Sequence, residues 1–196
     1  MSISSNHCSA VILSGGRSRR MGICKAMLKI EGETMLSRLT SRLDCFEEIL
    51  LSTNDPILAD GLPLRVVSDI YHNAGPLAGL HAALLAARHD VLFCVPCDMP
   101  NFVAELPQLL LKQYNGEDAL VCQDSTMRLY PLCGLYARSI LPRLEAQLQH
   151  GHYRASELLR GPRCTAINMN GLIPDDVYFN MNTPEEYWKV SKVWAC

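Results

Sequence analysis

Short apolar segments alternate with longer amphipathic segments along most of the chain. The short segments are rich in β-branched residues, as strands are, and several are almost continuously hydrophobic, which is typical of strands buried on both faces. They predict strands at residues 9–13, 48–52, 64–67, 91–95, 119–122, 132–136 and 164–167. Strands separated by covering helices indicate an α/β protein, a Rossmann-like three-layer α/β/α sandwich with a mostly parallel, mixed sheet.

The amphipathic segments predict the helices between these strands. Residues 34–43 place four large apolar side chains on one helical face, and residues 76–88 are rich in Ala and Leu with a proline in the first turn. Further helices are expected at residues 106–114 and 139–149. The last helix should start at Thr183 as N-cap, with Pro184 as its first residue and Glu186 as the capping-box partner. The strand order after about residue 123 stays open.

Composition narrows the class of protein. The chain has 196 residues, of which 48% are hydrophobic, and it shows no internal repeat or long linker, so it predicts one domain over residues 1–196. A net charge of -2 provides no general attraction to nucleic acid or to an anionic membrane, so we expect neither as a partner. No apolar segment approaches the roughly 20 residues that span a bilayer, and no secretory signal opens the chain, which favours a cytoplasmic location.

The nine cysteines mostly lie inside apolar segments, which favours reduced, buried thiols over a disulfide framework. Cys94 and Cys97 form a C-x-x-C pair, and such a pair can be a redox centre where it begins a helix. Here the pair ends a predicted strand, so a thiol redox protein remains a minor alternative. A four-thiolate zinc site is disfavoured because the chain has no second C-x-x-C pair.

A glycine-rich, basic loop follows the first predicted strand. Missing side chains in Ser14-Gly15-Gly16 allow backbone N–H groups to approach an anionic ligand. Four cations follow within nine residues: Arg17, Arg19, Arg20 and Lys25. A triphosphate is their natural partner, whereas neither the P-loop nor the dinucleotide-binding glycine spacing occurs here. The alternative is a surface turn with solvated arginines.

Asp98 follows the fourth predicted strand, at the edge where open α/β sheets bind ligands. A carboxylate at this place suits Mg²⁺, which takes one or two carboxylates together with phosphate oxygens and water, and Mn²⁺ accepts the same ligands. The alternative is that Asp98 only caps the turn before Pro100.

Four segments in order resemble the molybdenum cofactor guanylyltransferases, a family of nucleotidyltransferases related to sugar-nucleotide transferases. The first is Leu13-Ser14-Gly15-Gly16 with Arg20-Met21-Gly22 and Lys25, in which Ser14 stands where the family usually has Ala. The others are Gly75-Pro76-Leu77-Ala78-Gly79, the segment from Phe93 to Pro100, and Asn180-Met181-Asn182-Thr183-Pro184-Glu185-Glu186. Residues 124–161 match only loosely.

The resemblance implies transfer of GMP from GTP to the terminal phosphate of molybdopterin. It implies a catalytic role for Lys25, Asp98 and Arg19 or Arg20, with the metal on Asp98. It implies nucleotide contacts from the following residues: Leu13, Ser14, Gly15, Gly16, Lys25, Ser52, Asp69 and Asp98. Asn180 and Asn182, which alternate in an extended segment, are implied to bind the acceptor. Transient contact with the enzymes that receive the cofactor is also expected.

Rival functions remain open at this point. A cytidylyltransferase of the same fold, acting on molybdopterin or on a sugar phosphate, is the nearest. Cytidylyl relatives tend to carry Ala at the position of Gly16, so the glycine favours GTP. A GTP-binding protein that only delivers the cofactor would need no metal carboxylate, so Asp98 disfavours it.

Overall fold

The computed structural model describes residues 4–14 and 24–193, with side chains up to residue 191. In chain order the strands are β1 (Cys8–Leu13), β2 (Lys29–Ile30), β3 (Glu33–Thr34), β4 (Ile49–Ser52), β5 (Arg65–Val67), β6 (Val91–Pro96), β7 (Ala119–Gln123), β8 (Leu129–Ala137) and β9 (Cys164–Asn168). The helices are α1 (Met35–Arg42), α2 (Pro76–Ala86), α3 (Glu105–Gln113), α4 (Leu141–Gln149), α5 (Ala155–Leu158) and α6 (Pro184–Val193). All predicted strands and helices are present. The hairpin of β2 and β3 and the short helix α5 were not predicted.

In the described part of the chain, seven strands form one sheet in the order β5-β4-β1-β6-β8-β7-β9. The strands β5, β4, β1 and β6 are parallel neighbours, and β9 runs parallel to β7. Strand β8 is antiparallel to both β6 and β7, which makes the sheet mixed. The predicted α/β class with a mostly parallel, mixed sheet is therefore confirmed, and the strand order of the second half is now defined.

Helices cover both faces of this sheet. Side chains along a strand point alternately to opposite sides, so each central strand contributes to two cores. On one face, Ala10 and Ile12 of β1 pack in a core with apolar residues of α1 and α3. On the other face, Val11 and Leu13 pack in a core with residues of α2, α4 and α5. Within the described residues, no helix is long and apolar enough to span a bilayer.

A smaller apolar cluster fixes the segment before α6 against the hairpin of β2 and β3. Leu28, Ile30, Met35, Met181 and Val190 form its buried part. Met181 is fully buried, and the burial of such a side chain contributes about 2 kcal/mol to stability. The residues on either side of Met181 are consequently held at a defined place beside the carboxyl edge of the sheet.

Strand β8 approaches β7 closely at Gly134. A Cβ atom at this position would lie 2.5 Å from the carbonyl oxygen of Leu120 and 2.7 Å from the Cα of Val121. Directly after this contact the register of β7 and β8 shifts between Val121 and Cys122. The resulting bulge leaves residues 131–133 of β8 outside the regular pairing, whereas Leu129 and Tyr130 pair with β7 again.

Candidate active site

A cleft of about 1340 Å³ opens along the carboxyl ends of the parallel strands. The backbone continues to pair beyond the strands themselves, since Ser14 N–H donates to the Ser52 carbonyl at 2.9 Å and Cys97 N–H to the Leu13 carbonyl at 3.0 Å. The ends of β1, β4 and β6 are therefore held side by side. This is the edge at which open α/β sheets bind ligands.

Lys25 joins two residues that are far apart in the sequence. Its Nζ donates to the Asp98 carboxylate at 3.0 Å and to the Asn182 side-chain oxygen at 2.7 Å. The side chains of Lys25 and Asp98 are each 18% exposed, so the ion pair is partly shielded from water but remains accessible from the cleft. The predicted lysine and strand-end carboxylate thus meet in one cleft.

The segment around Asn182 is anchored to the end of β6 and to its own helix. Met181 N–H donates to the Asp98 carbonyl at 2.8 Å. Glu186 accepts the N–H groups of Asn182 and Thr183 at 2.6 and 2.9 Å, and its own N–H donates to the Thr183 hydroxyl at 3.2 Å. The predicted capping box is therefore present, and it also orients Asn182 toward Lys25.

Asn180 lines the cleft, and its side-chain oxygen is buried without a hydrogen-bond partner among the described residues. A buried acceptor without a partner costs free energy, so this oxygen suits a ligand that donates a hydrogen bond or a cation. Asn180 and Asn182 do not belong to a strand, because α6 and the apolar contacts of Met181 hold this segment instead.

Residues after β4 and β5 form the end of the cleft away from Asn180. Asn54 donates from Nδ2 to the Asp69 carboxylate at 3.3 Å, and Asp69 N–H donates back to the Asn54 side-chain oxygen at 3.3 Å. Partial burial raises the pKa of Asp69, against the lowering effects of the Asn54 hydrogen bond and of His72. Gly75, which has a φ of 68°, and Pro76 bring the start of α2 to this end of the cleft.

Ser52, which the resemblance assigns to the nucleotide, does not line the cleft. Its side chain is 2% exposed and points toward α2, where a Cβ atom on Gly79 would lie 2.2 Å from the Ser52 hydroxyl. Thr53 and Asn54 line the cleft in its place. Its position in the sequence did not show that the Ser52 side chain points toward α2 and not into the cleft.

The opposite wall consists of Arg128 and residues 129–133 of β8, and it was not singled out from the sequence. The Asp124 carboxylate organises it by accepting the backbone N–H groups of Thr126 and Arg128 at 2.9 and 3.0 Å and the Tyr130 hydroxyl at 2.8 Å. These hydrogen bonds, with that of the Thr126 hydroxyl first among them, lower the pKa of Asp124 to about 2. The signal in the sequence was an Asp followed by small polar residues, which is typical of a side-chain-stabilised turn.

The C-x-x-C pair, Cys94 and Cys97, lies beside the cleft, and both of its thiols have raised pKa values. Burial raises the pKa of the Cys94 thiol, and burial together with the Asp98 carboxylate raises the pKa of Cys97 to about 12. A redox thiol requires a lowered pKa, so the thiol redox alternative loses its physical basis. The cysteines of the described residues are all free thiols.

Most of the predicted site residues that the structure describes lie together at this cleft. It is lined by Leu13, Ser14, Lys25, Asp69, Asp98 and Asn180, and Asn182 contacts it through Lys25. Gly15, Gly16, Arg19 and Arg20 lie outside the described residues. No three His, Cys, Asp or Glu side chains of residues 4–14 and 24–191 cluster closely enough to hold a metal by themselves.

Similarity to known proteins agrees with this geometry. Residues 10–166 match the model of the MobA-like NTP transferase domain. A probable molybdenum cofactor guanylyltransferase of Pelotomaculum thermopropionicum is 35% identical over 184 residues, which cover 91% of this chain and 89% of the relative.

Two solved structures share the fold. The molybdopterin-guanine dinucleotide biosynthesis protein A of Archaeoglobus fulgidus superposes with a TM-score of 0.82 at 21% identity, over 95% of this chain and 98% of that one. A Mycobacterium tuberculosis protein solved in complex with manganese superposes with a TM-score of 0.66 at 18% identity, over 95% of this chain and 98% of that one.

The mixed α/β sheet with a cleft at its carboxyl edge agrees with the class that the domain match shows, a nucleotidyltransferase. The domain match and the curated relative then assign it more narrowly: the chain belongs to the MobA-like NTP transferase family, among the molybdenum cofactor guanylyltransferases. The resemblance inferred from the four sequence segments is confirmed.

Proposed function

We propose that this cleft transfers GMP from GTP to the terminal phosphate of molybdopterin, with release of pyrophosphate and formation of molybdopterin guanine dinucleotide. An oxygen of the acceptor phosphate attacks the α-phosphorus, and the bond from that phosphorus to the bridging oxygen of the β-phosphate breaks. The observation that carries the proposal is the meeting of Lys25, Asp98 and Asn182 at one point of the cleft.

The reaction needs little proton transfer. A phosphate monoester has a second pKa of about 6, so the acceptor is already largely dianionic at neutral pH. The barrier is then mostly charge repulsion between two phosphates and their in-line alignment. Lys25 supplies a fixed positive charge against this repulsion, and Asn182, which Glu186 orients, holds the Lys25 ammonium group beside Asp98. Arg19 or Arg20 would add further positive charge.

A divalent cation fits the donors of the site. The Asp98 carboxylate and the unpartnered side-chain oxygen of Asn180 are hard oxygen ligands, and Mg²⁺ bound to nucleotides typically uses one or two protein carboxylates with phosphate oxygens and water. When bound, the cation would neutralise charge on the triphosphate. Lys25 would then exchange its contact with Asp98 for a contact with phosphate. Mn²⁺ is expected to substitute, because it accepts the same ligands.

We assign the nucleotide to the part of the cleft formed by Leu13, Ser14 and Asp69. Gly15 and Gly16, which lie outside the described residues, are assigned to the same ligand from the sequence. Thr53 and Asn54 replace Ser52 in this assignment, since they line the cleft. GTP is favoured over CTP because a glycine stands at position 16, where cytidylyl relatives tend to have Ala. Asn180 and Asn182 are assigned to the acceptor side.

The cellular setting follows from the chemistry of the substrates. Both are small, charged molecules, so we expect a cytoplasmic enzyme without a nucleic-acid or membrane partner. Transient contact with the enzymes that receive the finished dinucleotide would protect it from solvent.

A labelling experiment tests the function. Purified protein is incubated with GTP labelled at the α-phosphate, Mg²⁺ and molybdopterin, and the labelled dinucleotide is separated from free GTP. We expect transfer that unlabelled GTP suppresses and that CTP and ATP do not. Asp98→Asn should abolish transfer, whereas Asp60→Asn, which changes an exposed aspartate away from the cleft, should retain it. Absence of label in the product, or equal suppression by CTP, would overturn the proposal.

A further inference from the structure

Two carboxylates order the turn between β7 and β8: the buried Asp124, and Asp175, which accepts the N–H of Ser125 at 3.2 Å. Asp124 is 7% exposed, and besides the bonds given above it accepts the Thr126 hydroxyl at 2.7 Å. Its backbone pairs with Arg128 in the other direction, since Asp124 N–H donates to the Arg128 carbonyl at 3.1 Å. Met127 has a φ of 67°, a left-handed conformation that is costly for a side chain of this kind. This rigid turn fixes the place from which the Arg128 side chain enters the cleft.

The Arg128 guanidinium group lies on an aromatic stack. Its central carbon is 5.4 Å from the ring centre of Tyr130. The Tyr130 ring in turn stacks on Tyr178, with ring centres 4.6 Å apart and planes inclined by 22°. Because Tyr178 covers one face of Tyr130, the guanidinium group occupies the other. Arg128 and Tyr130 both line the cleft, whereas the buried Tyr178 does not.

Arg128 has no acidic partner among the residues that the structure describes. It is exposed, and its guanidinium group makes no ion pair with residues 4–14 or 24–191. The ordered cation is therefore available to a ligand. The wall around it is otherwise largely apolar, with Leu129, Pro131 and Leu132 beside it.

We propose that Arg128 binds the pterin of the acceptor, by stacking its guanidinium plane on the planar pyrimidine ring of that pterin. A guanidinium group is planar, delocalised and weakly hydrated, so it stacks on ring faces, whereas an ammonium group acts as a point charge. The ring of the acceptor would extend the existing stack of Tyr178, Tyr130 and Arg128. This inference rests on the proposed function and adds to it the residue that recognises the acceptor.

The division of the cleft supports this assignment. Lys25 and Asp98 lie at the end of β6, where phosphate groups react, while Arg128 lies on the β8 wall among apolar residues. Arg128 would therefore contact the part of the acceptor that is remote from its reacting phosphate. Asp124 is then a positioning residue, because it holds both the backbone of Arg128 and the hydroxyl of Tyr130.

The test compares Arg128→Ala, Arg128→Lys and the control Arg160→Ala, an exposed arginine outside the cleft. Steady-state transfer is measured with GTP and molybdopterin varied separately, and binding of molybdopterin alone is measured by calorimetry. Removal of the guanidinium should raise the acceptor KM and Kd about tenfold, as expected for loss of one stacking contact of a cation, and leave the GTP KM unchanged. Lys should not restore binding, because it retains the charge and lacks the plane.

The outcomes separate this inference from the function it rests on. Transfer by the wild type with an unchanged acceptor KM and Kd in Arg128→Ala would overturn the inference alone. Full restoration by Lys, or an equal rise of the GTP KM, would also overturn it. Failure of the wild type and of Arg160→Ala to transfer GMP would overturn the proposed function and the inference together. Asp124→Asn should raise the acceptor KM with little change in kcat, since it disturbs the position of Arg128 and leaves Lys25 and Asp98 in place.

Discussion

At the residue scale, the contacts of the Lys25 ammonium group say most about how the site is arranged. The ammonium group is held between the Asp98 carboxylate, which follows β6, and the Asn182 amide before α6, so it contacts both of these segments at once. In the proposed mechanism, a triphosphate would compete with Asp98 for the Lys25 ammonium group. That exchange would free the carboxylate oxygens of Asp98 for a divalent metal ion, so we expect nucleotide binding and metal binding to support each other.

Lys25→Ala should reduce kcat for GMP transfer by at least about a hundredfold, which is typical for the loss of one group that stabilises charge in the transition state. The midpoint of thermal unfolding should change little, because a partly exposed ion pair contributes only about 0–1 kcal/mol to stability. Lys112→Ala, on the exposed side of α3, is the matched control. Transfer at the wild-type rate by the Lys25 variant would remove the lysine from the mechanism.

The sequence predicts those site residues whose role follows from a local motif. Lys25 and Asp98 each stand next to a recognisable segment, so both are found at the cleft as expected. Ser52 was assigned to the nucleotide, but its orientation depends on the space that Gly79 leaves on α2. Arg128 and Tyr130 were missed because their place in the cleft depends on the direction of β8 and on the Asp124 turn. Such long-range packing has no signature in a single segment.

At the scale of elements, strand periodicity was sufficient for the main sheet and insufficient for its short additions. The seven predicted strands are long or apolar enough to be recognised, whereas β2 and β3 have two residues each. Helix α5 has four residues, too few for a helical apolar repeat. The capping box of α6 was recognised from its spacing, and the structure gives it a second consequence, because it also positions Asn182.

Glu186→Ala should lower the activity without unfolding the protein. The substitution removes the acceptor of the Asn182 and Thr183 N–H groups, so α6 loses a cap worth about 1 kcal/mol and Asn182 loses its orientation toward Lys25. We expect a lower kcat/KM for the acceptor, together with a small decrease in the midpoint of urea unfolding. Glu185→Ala, one residue earlier and exposed, should change neither quantity. Equal effects of the two variants would contradict a specific role of the cap.

At the scale of the whole molecule, a buried carboxylate links several segments at the edge of the sheet opposite the cleft. Glu48 is 4% exposed and accepts hydrogen bonds from the Ser9 hydroxyl at 2.6 Å, from Arg65 at 2.6 Å and from the Arg88 backbone N–H at 2.7 Å. These contacts tie together β1, β5 and the connection between α2 and β6. Desolvation by burial raises the pKa of Glu48, but the hydrogen bonds from Arg88, Ser9 and Arg65 outweigh it, so the net pKa is lowered.

A lowered pKa in the folded state makes the protein sensitive to acid. Glu48 contributes its stabilisation fully above its ordinary pKa of 4.5 and loses it as the pH falls through the lower folded-state value. Glu48→Gln should therefore cost about 2 kcal/mol of unfolding free energy at neutral pH, the usual worth of hydrogen bonds to a charged group. The difference from the wild type should shrink below pH 4.5. Urea unfolding at pH values above and below 4.5 measures this difference in unfolding free energy. Glu47→Gln, which changes an exposed neighbour, is the control. A difference that does not depend on pH would refute the role given to the Glu48 carboxylate.

The reversed direction of β8 has a consequence for how such proteins diversify. Because this strand begins where β6 ends, its first residues and Arg128 before them line the cleft at the carboxyl edge of the sheet. By the proposed assignment, substitutions in residues 124–132 should change which acceptor binds without altering the residues after β1 that are assigned to the nucleotide. The antiparallel strand β8 thus places the residues assigned to the acceptor on a segment separate from those assigned to the donor. Engineering for a new acceptor can therefore begin at residues 124–132.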